Sequence, residues 1–275
     1  MTRIALLQMT TGIDPAANAA TIVEAISQAK AGGAQMLFTP EMSGLLDRNR
    51  KRATPNIHTP EDDAVLAAVR EAAAREGLWV ALGSLAVLRE DGQWANRAFL
   101  IDDRGAIAAT YDKIHMFDVT LASGETWRES SAYTPGEAVV TADTPAGKLG
   151  LAVCYDMRFP ALFEALGCQL CDLIAIPAAF TVPTGKAHWH LLLRARAVEA
   201  SAYVVAAAQV GEHEDGRRTY GHSLVVDPWG DVVLDMGGEG PELGFAEIDA
   251  AHIAEIRAQL PSLANRRAVP KCGAS

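Results

Sequence analysis

Three residues of this chain are chemically able to open an acyl C–N bond, and each stands where an apolar run ends. They are Glu41 in LFTPEMSG, Lys113 in ATYDKIHMF and Cys154 in LAVCYDMRFP. A thiol is only a few per cent thiolate at neutral pH, and a nearby ammonium lowers its pKa. A carboxylate within hydrogen-bond reach can take the thiol proton and later deliver it to a leaving amine. A lysine and a backbone N–H aimed at the attacked carbonyl stabilise the oxyanion, a contribution of about 3 kcal/mol per donor. Together the three side chains point to acyl transfer through a thioester. Read singly, each has a plainer role: a cysteine ending a buried strand packs as a small apolar residue, and a glutamate or lysine after a strand is solvated.

The elements that must position these residues follow from apolar periodicity. RIALLQM, QMLFTP and KLGLAVC read as strands, the second ending at Glu41 and the third at Cys154. A helix is expected over residues 15–30, with Ala19, Ile22, Val23 and Ile26 on one face and Gly32 and Gly33 as its stop. A second is expected over 60–76, with Thr59 as N-cap and Glu61 and Asp62 complementing its dipole. LWVALGS, SLAVLRE, WANRAFLID and AIAATYDK read as consecutive strands, with turns at 91–92 and 102–105. A polar loop over 114–134 precedes VVTADT and the cysteine strand. Beyond it come a helix (159–166), the strand LIAIP, a helix (187–200) and the strands YVVAAAQ, HSLVVDP, DVVLD and LGFAEID. A short helix and an irregular tail, about 260–275, close the chain. With no linker, repeat or low-complexity segment, one α/β domain over 1–275 is expected, with mixed sheets and helices on their outer faces. About a dozen strands are too many for one open sheet, and two stacked sheets between helical layers would accommodate them.

A chain of 275 residues with 49% hydrophobic content can bury a large core. Its net charge of -10 repels phosphate, which argues against a nucleic-acid or anionic-membrane partner. MTRIALLQM lacks a secretory h-region, and no apolar run approaches the roughly 18 residues of a membrane helix, so a cytoplasmic location is expected. The four cysteines (Cys154, Cys168, Cys171, Cys272) do not form a disulfide scaffold. Cys168 and Cys171 have redox-motif spacing but follow a helix instead of starting one, and zinc would require a second ligand pair. A thiol oxidoreductase built on that pair is therefore the weakest reading, and a catalytically silent scaffold is the rival from another class.

The motifs around Glu41, Lys113 and Cys154, with TGKAHWHLLLRARAVE and YVVAAAQVGEHEDGRRTYGHSLVVDPWG downstream, occur in an order and spacing that resemble the nitrilase-like carbon–nitrogen hydrolase family. The resemblance covers essentially the whole chain. It implies a four-layer αββα sandwich of two stacked mixed sheets, no metal, no organic cofactor, and a homodimer or higher homo-oligomer. It makes Cys154 the nucleophile, Glu41 the general base and acid, and Lys113 the oxyanion donor, helped by the backbone N–H of Tyr155. A second glutamate is implied between lysine and cysteine; Glu129 in WRESSAYTPGE fits best, with Glu125 and Glu137 as competitors.

Around this set, Arg158 either binds a substrate carboxylate or pairs with Asp156 to hold the turn. His115 lines the pocket or makes a structural hydrogen bond, and Phe180 and Thr181 are expected as pocket walls. Arg196 and Glu199 are three apart on one helix and can pair, so that helix reads mainly as architecture and dimer contact. Tyr220 and His222 can face either the site or the interface. CYDMRFP and the YGHS–VVDPWG block look closest to the branch acting on α-keto acids that carry a terminal amide. That branch implies deaminated glutathione as substrate, with 2-oxoglutaramate, a nitrile or a carbamoyl amino acid as alternatives. Ala161 and Lys186 depart from the residues common there.

Overall fold

The computed structural model describes residues 1–120, 124 and 126–270. In chain order its elements are β1 (Thr2–Gln8), α1 (Pro15–Ala31), β2 (Met36–Phe38), α2 (Arg50–Ala53), α3 (Ala64–Glu76), β3 (Trp79–Leu88), β4 (Trp94–Ile101) and β5 (Ile107–Asp112). A small hairpin, β6 (Asp118–Thr120) and β7 (Thr126–Arg128), precedes β8 (Thr141–Thr144) and β9 (Gly147–Leu151). Then come α4 (Pro160–Cys168), β10 (Leu173–Ala175), α5 (Val182–Ala200), β11 (Tyr203–Ala206), β12 (Val210–Glu212) and β13 (Arg218–Tyr220). The last elements are β14 (Leu224–Val226), β15 (Val232–Asp235), β16 (Glu242–Ile248) and α6 (Ala250–Gln259).

Two six-stranded mixed sheets form the centre, ordered β16-β1-β2-β3-β4-β5 and β15-β14-β11-β10-β9-β8. Each has three parallel strands (β1, β2, β3 and β9, β10, β11) flanked by antiparallel ones. Strand alternation assigns the layers. Ile4 and Leu6 face the core shared with Leu149, Leu151 and Leu173 of the other sheet, whereas Ala5 and Leu7 pack with Ile22, Ile26, Leu66 and Val69 of α1 and α3. On the far side Phe163, Leu166, Trp189 and Leu193 of α4 and α5 join the second sheet. The expected αββα sandwich is the observed one. No helix among the described residues is long and apolar enough to cross a membrane.

Several local expectations are corrected. α3 starts at Ala64, because the buried Asp63 carboxylate caps it by accepting from Leu66 N–H at 2.8 Å, while residues 60–62 form a turn. LWVALGS and SLAVLRE are one strand, β3, with a register irregularity between Leu82 and Leu85. Gly83 there does not turn the chain. It admits a neighbouring backbone, since a Cβ would lie 2.1 Å from Thr39 O and 2.3 Å from Pro40 O. α5 starts at Val182 with Pro183 in its first turn, where the missing N–H costs nothing. The loop over 114–134 contains the β6–β7 hairpin.

Candidate active site

β2 and β3 run parallel, β4 returns, and β5 again runs with β2. The ends of β2 and β5 and the start of β4 therefore share one edge of the first sheet, which is where Glu41, Lys113 and Asn96 stand. In the second sheet β9 and β10 are parallel, so Cys154 and Ala179 follow them at one edge. Stacking the two sheets brings the edges together.

Glu41 is buried. Its Oε1 accepts from Lys113 Nζ at 2.9 Å and Asn96 Nδ2 at 2.9 Å, and its Oε2 from the Ala179 N–H at 2.9 Å. Lys113 Nζ also donates to both oxygens of Glu129, at 2.9 and 2.8 Å. Glu129 is held in turn by Asn96 Nδ2 at 3.0 Å and the Phe117 N–H at 2.6 Å. The structure thus places Glu129 at the lysine, and Glu137 is exposed; Glu125 lies outside the described residues. Cys154 is buried, and its N–H donates to Pro177 O at 2.9 Å. Its φ is +48°, a left-handed conformation that costs a non-glycine residue about 1–3 kcal/mol and is sustained by its surroundings.

The chief surrounding is Asp156, fully buried two residues on. It accepts from Val153 N–H at 2.9 Å, Tyr111 Oη at 2.7 Å, His115 N–H at 3.0 Å and His115 Nδ1 at 2.7 Å. His115, stacked on Phe159 with centroids 3.6 Å apart, has the structural of its two expected roles and does not line the cavity. Arg158 does not pair with Asp156. Its Nη2 lies 3.3 Å from His188 Nδ1, and its guanidinium lies over Tyr155 and Phe180, behind the wall of the cavity. Arg196, buried on α5, donates from Nε to Met157 O at 2.7 Å and pairs with Glu199, so that helix also braces the cysteine turn.

Burial alone would raise the Glu41 carboxyl, but the Lys113 ammonium and hydrogen bonds from Cys154, Lys113 and Asn96 hold it below its ordinary value. Burial opposes the charge on Lys113, yet Glu129, Glu41 and Cys154 hold it well above the usual lysine range. Burial, then the Glu41 charge, push the Cys154 thiol well above its ordinary value, against the lowering influence of Lys113. At neutral pH the cluster is therefore a neutral thiol with an ionised carboxylate and an ammonium around it, an arrangement in which the thiol loses its proton as it attacks.

A cavity of about 410 Å³ opens over this cluster, within the range of small-molecule sites. Cys154, Glu41, Lys113, Glu129, Tyr155, Phe180 and Thr181 all line it. The sequence reading missed Asn96, whose amide ties the two glutamates together. A polar residue fully buried in the apolar run WANRAFLI is the signal that marks it. It also missed the arginines Arg48, Arg50 and Arg217, which carried no spacing signature. Cys168 is exposed at the end of α4, whereas Cys171 is buried and its thiol is pushed up to about 11 by burial, so Cys171 is not an activated thiolate. Among the described residues, His190, His222 and Asp235 can together hold a metal ion. None of them lines the cavity, and neither does Tyr220.

A four-layer sandwich that seats a cysteine, two glutamates and a lysine at the meeting edges of its sheets has the nitrilase-like architecture. A family model described as carbon-nitrogen hydrolase matches residues 3–258, and the chain belongs to that family. It is 41% identical to the deaminated glutathione amidase of Yersinia enterocolitica over 272 residues, covering 97% of this chain and 93% of that protein. The C. elegans NitFhit crystal structure superposes with a TM-score of 0.88 at 36% identity, covering 97% of this chain and 65% of that one, so this chain spans under two thirds of that protein. The amidase from Nesterenkonia sp. AN1, solved as a mutant with acrylamide joined to its active-site cysteine by Michael addition, gives a TM-score of 0.80 at 28% identity. That match covers 95% of this chain and 98% of the amidase chain.

Proposed function

We propose that this protein is a thiol amidase that hydrolyses the terminal amide of an α-keto acid, with deaminated glutathione as substrate and 2-oxoglutarate and cysteinylglycine as products. The observation that carries the reaction class is that Cys154, Glu41 and Lys113 line one cavity, with Lys113 Nζ 2.9 Å from Glu41 Oε1. The substrate is supported by the identity to the Yersinia enterocolitica enzyme.

The Cys154 sulfur attacks the amide carbon while its proton passes to Glu41. The oxyanion is met by Lys113, which can exchange one of its two contacts with Glu129 for the new charge, and by the Tyr155 N–H. The Tyr155 N–H starts the 3-10 turn Cys154–Arg158, where N–H groups lack intrahelical acceptors. Glu41 returns the proton to the amine as the C–N bond breaks, leaving a thioester on Cys154. Water, deprotonated by Glu41, then attacks the thioester, releasing the carboxylic acid and restoring the thiol. The reaction uses no metal and no organic cofactor.

The test compares kcat/KM for deaminated glutathione, 2-oxoglutaramate, a simple nitrile and a carbamoyl amino acid. Mass spectrometry after a brief substrate pulse should find the acyl adduct on Cys154, and acrylamide should label the same residue. Undiminished turnover in Cys154→Ala refutes the mechanism; preference for the nitrile or the carbamoyl compound refutes the substrate. A homodimer through the outer face of α5 is part of the proposal, since Leu191 (66% exposed), Val198 and the adjacent Trp229 present an apolar patch there. Light scattering on Leu191→Glu should show dissociation.

A further inference from the structure

Five arginines line the cavity: Arg48, Arg50, Arg128, Arg217 and Arg218. Outside the cysteine cluster the described residues of the lining include a single carboxylate, Asp47, already paired with Arg52 at 2.6 Å. This excess of positive charge sits in a chain whose net charge is -10, so average composition does not account for it. Three segments from different parts of the chain build it around one ring. Arg217 is fixed by Asp215, with Nε and Nη2 at 2.8 and 2.7 Å from one carboxylate oxygen, and its guanidinium lies 5.2 Å from the Trp127 ring. Arg48 spends only Nε, on Asp215 O at 2.9 Å, and lies 6.0 Å from the same ring. Arg50 and Arg128 donate to backbone carbonyls. Among the described residues, the terminal nitrogens of Arg48 and the whole Arg218 guanidinium make no hydrogen bond or ion pair, and both side chains are exposed at the cavity mouth.

We propose that Arg48 and Arg218 bind a carboxylate on the amine half of the substrate, the half that departs when Cys154 is acylated. The inference rests on the amidase reading above. Reach assigns the half. The acyl portion of deaminated glutathione carries its carboxylate about four bonds from the carbon held by Cys154, a shorter reach than that of the departing half. A dipeptide leaving group extends about 3.3–3.6 Å per residue, carrying its terminal carboxylate roughly 7 Å from the scissile nitrogen, toward the exposed mouth. Two exposed guanidiniums with free donors at one mouth suit such a carboxylate, and the Asp215 carbonyl and the Trp127 face hold Arg48 in place. After acylation the leaving dipeptide is then already at the solvent side of the cavity.

The experiment uses the full-length protein with Cys154→Ala, so that ligands bind without turnover. Calorimetry compares deaminated glutathione with the analogue whose C-terminal carboxylate is a carboxamide. The acid should bind at least about tenfold tighter, equivalent to about 1.4 kcal/mol. Arg48→Ala and Arg218→Ala should each remove most of that preference, Arg218→Lys should keep part of it, and raising salt from about 0.05 to about 0.3 M should shrink it. Equal affinity for acid and amide, a preference intact in both alanine variants, or no binding of either ligand overturns the proposal. Turnover by the unsubstituted protein judges the substrate reading separately: cleavage of 2-oxoglutaramate or a nitrile but not deaminated glutathione refutes that reading, while the binding comparison still decides the role of the arginines.

Discussion

Glu129→Gln isolates the feature on which the reading of the site depends most, a carboxylate that does not touch the thiol. Both Glu129 oxygens face two donors each: Oε1 accepts from Lys113 and Asn96, and Oε2 from Lys113 and the Phe117 N–H. In either orientation the carboxamide nitrogen of glutamine meets two donors where an acceptor is needed. Lys113, with only 2% of its side chain exposed, is left with Glu41 as its sole anionic partner among the described residues. Each unmet buried donor costs about 1–3 kcal/mol, and breaking a buried ion pair from one side costs about 3–5 kcal/mol. We expect a loss of about 3 kcal/mol in stability, or a fall in Tm of roughly 6–12 °C for a domain of this size. The catalytic effect is separate. Freed of Glu129, the ammonium pairs wholly with Glu41, lowering the basicity of that carboxylate and withdrawing from the oxyanion. The kcat should therefore fall by roughly 100- to 1000-fold, corresponding to about 3–4 kcal/mol. Steady-state kinetics and a thermal melt, with Glu137→Gln as an inert control, measure both effects. A Glu129→Gln protein with kcat within about threefold of the parent, or an equal effect in Glu137→Gln, refutes the reasoning.

Asp156→Asn places an amide nitrogen against two of the four donors that surround the carboxylate, so a loss of about 2–4 kcal/mol is expected by denaturant unfolding, with kcat reduced because the +48° φ of Cys154 loses its support. Gly83→Ala drives a Cβ into Thr39 O and Pro40 O. Tm should drop by several degrees and activity fall further, since the backbone that must move leads straight into Glu41. Because Glu41 lies below its usual value of 4.5 and Cys154 lies well above 9.0, the acid limb of kcat/KM should have its midpoint below pH 4.5 and no alkaline limb should appear before pH 9. An inflection near pH 6 to 7 in that profile would contradict Glu41 as the base. In stability the signs follow the same shifts. The depressed Glu41 contributes above pH 4.5 and loses its contribution as pH falls through its folded pKa, whereas the raised Lys113 contributes below pH 10.5 and loses it only as pH rises past its own. A pH series of melts measures both.

Most strands and both halves of the sandwich were legible because burial writes a period of two or a short apolar run into a strand, and because Gly92 and Gly105 mark turns that need φ near +78°. Helix starts were less legible. Thr59 and Asp63 are both competent caps, and only the burial of Asp63 against Leu66 N–H selects between them. LWVALGS and SLAVLRE read as two strands because local sequence does not reveal whether a glycine such as Gly83 interrupts its own strand or admits another backbone.

The same division runs through the site. The sequence alone determined the reacting types and their places at strand ends, because residue chemistry and periodicity are local properties. Tertiary structure decided everything that depends on which edges meet: that Asn96 bridges Glu41 and Glu129, that Asp156 serves the turn and His115 serves Asp156, that Arg158 stands behind the cavity wall, and that arginines 170 positions apart share one mouth. Those contacts join the two sheets or the loops above them, and their energies come from burial and hydrogen-bond geometry that arise only when the sheets stack.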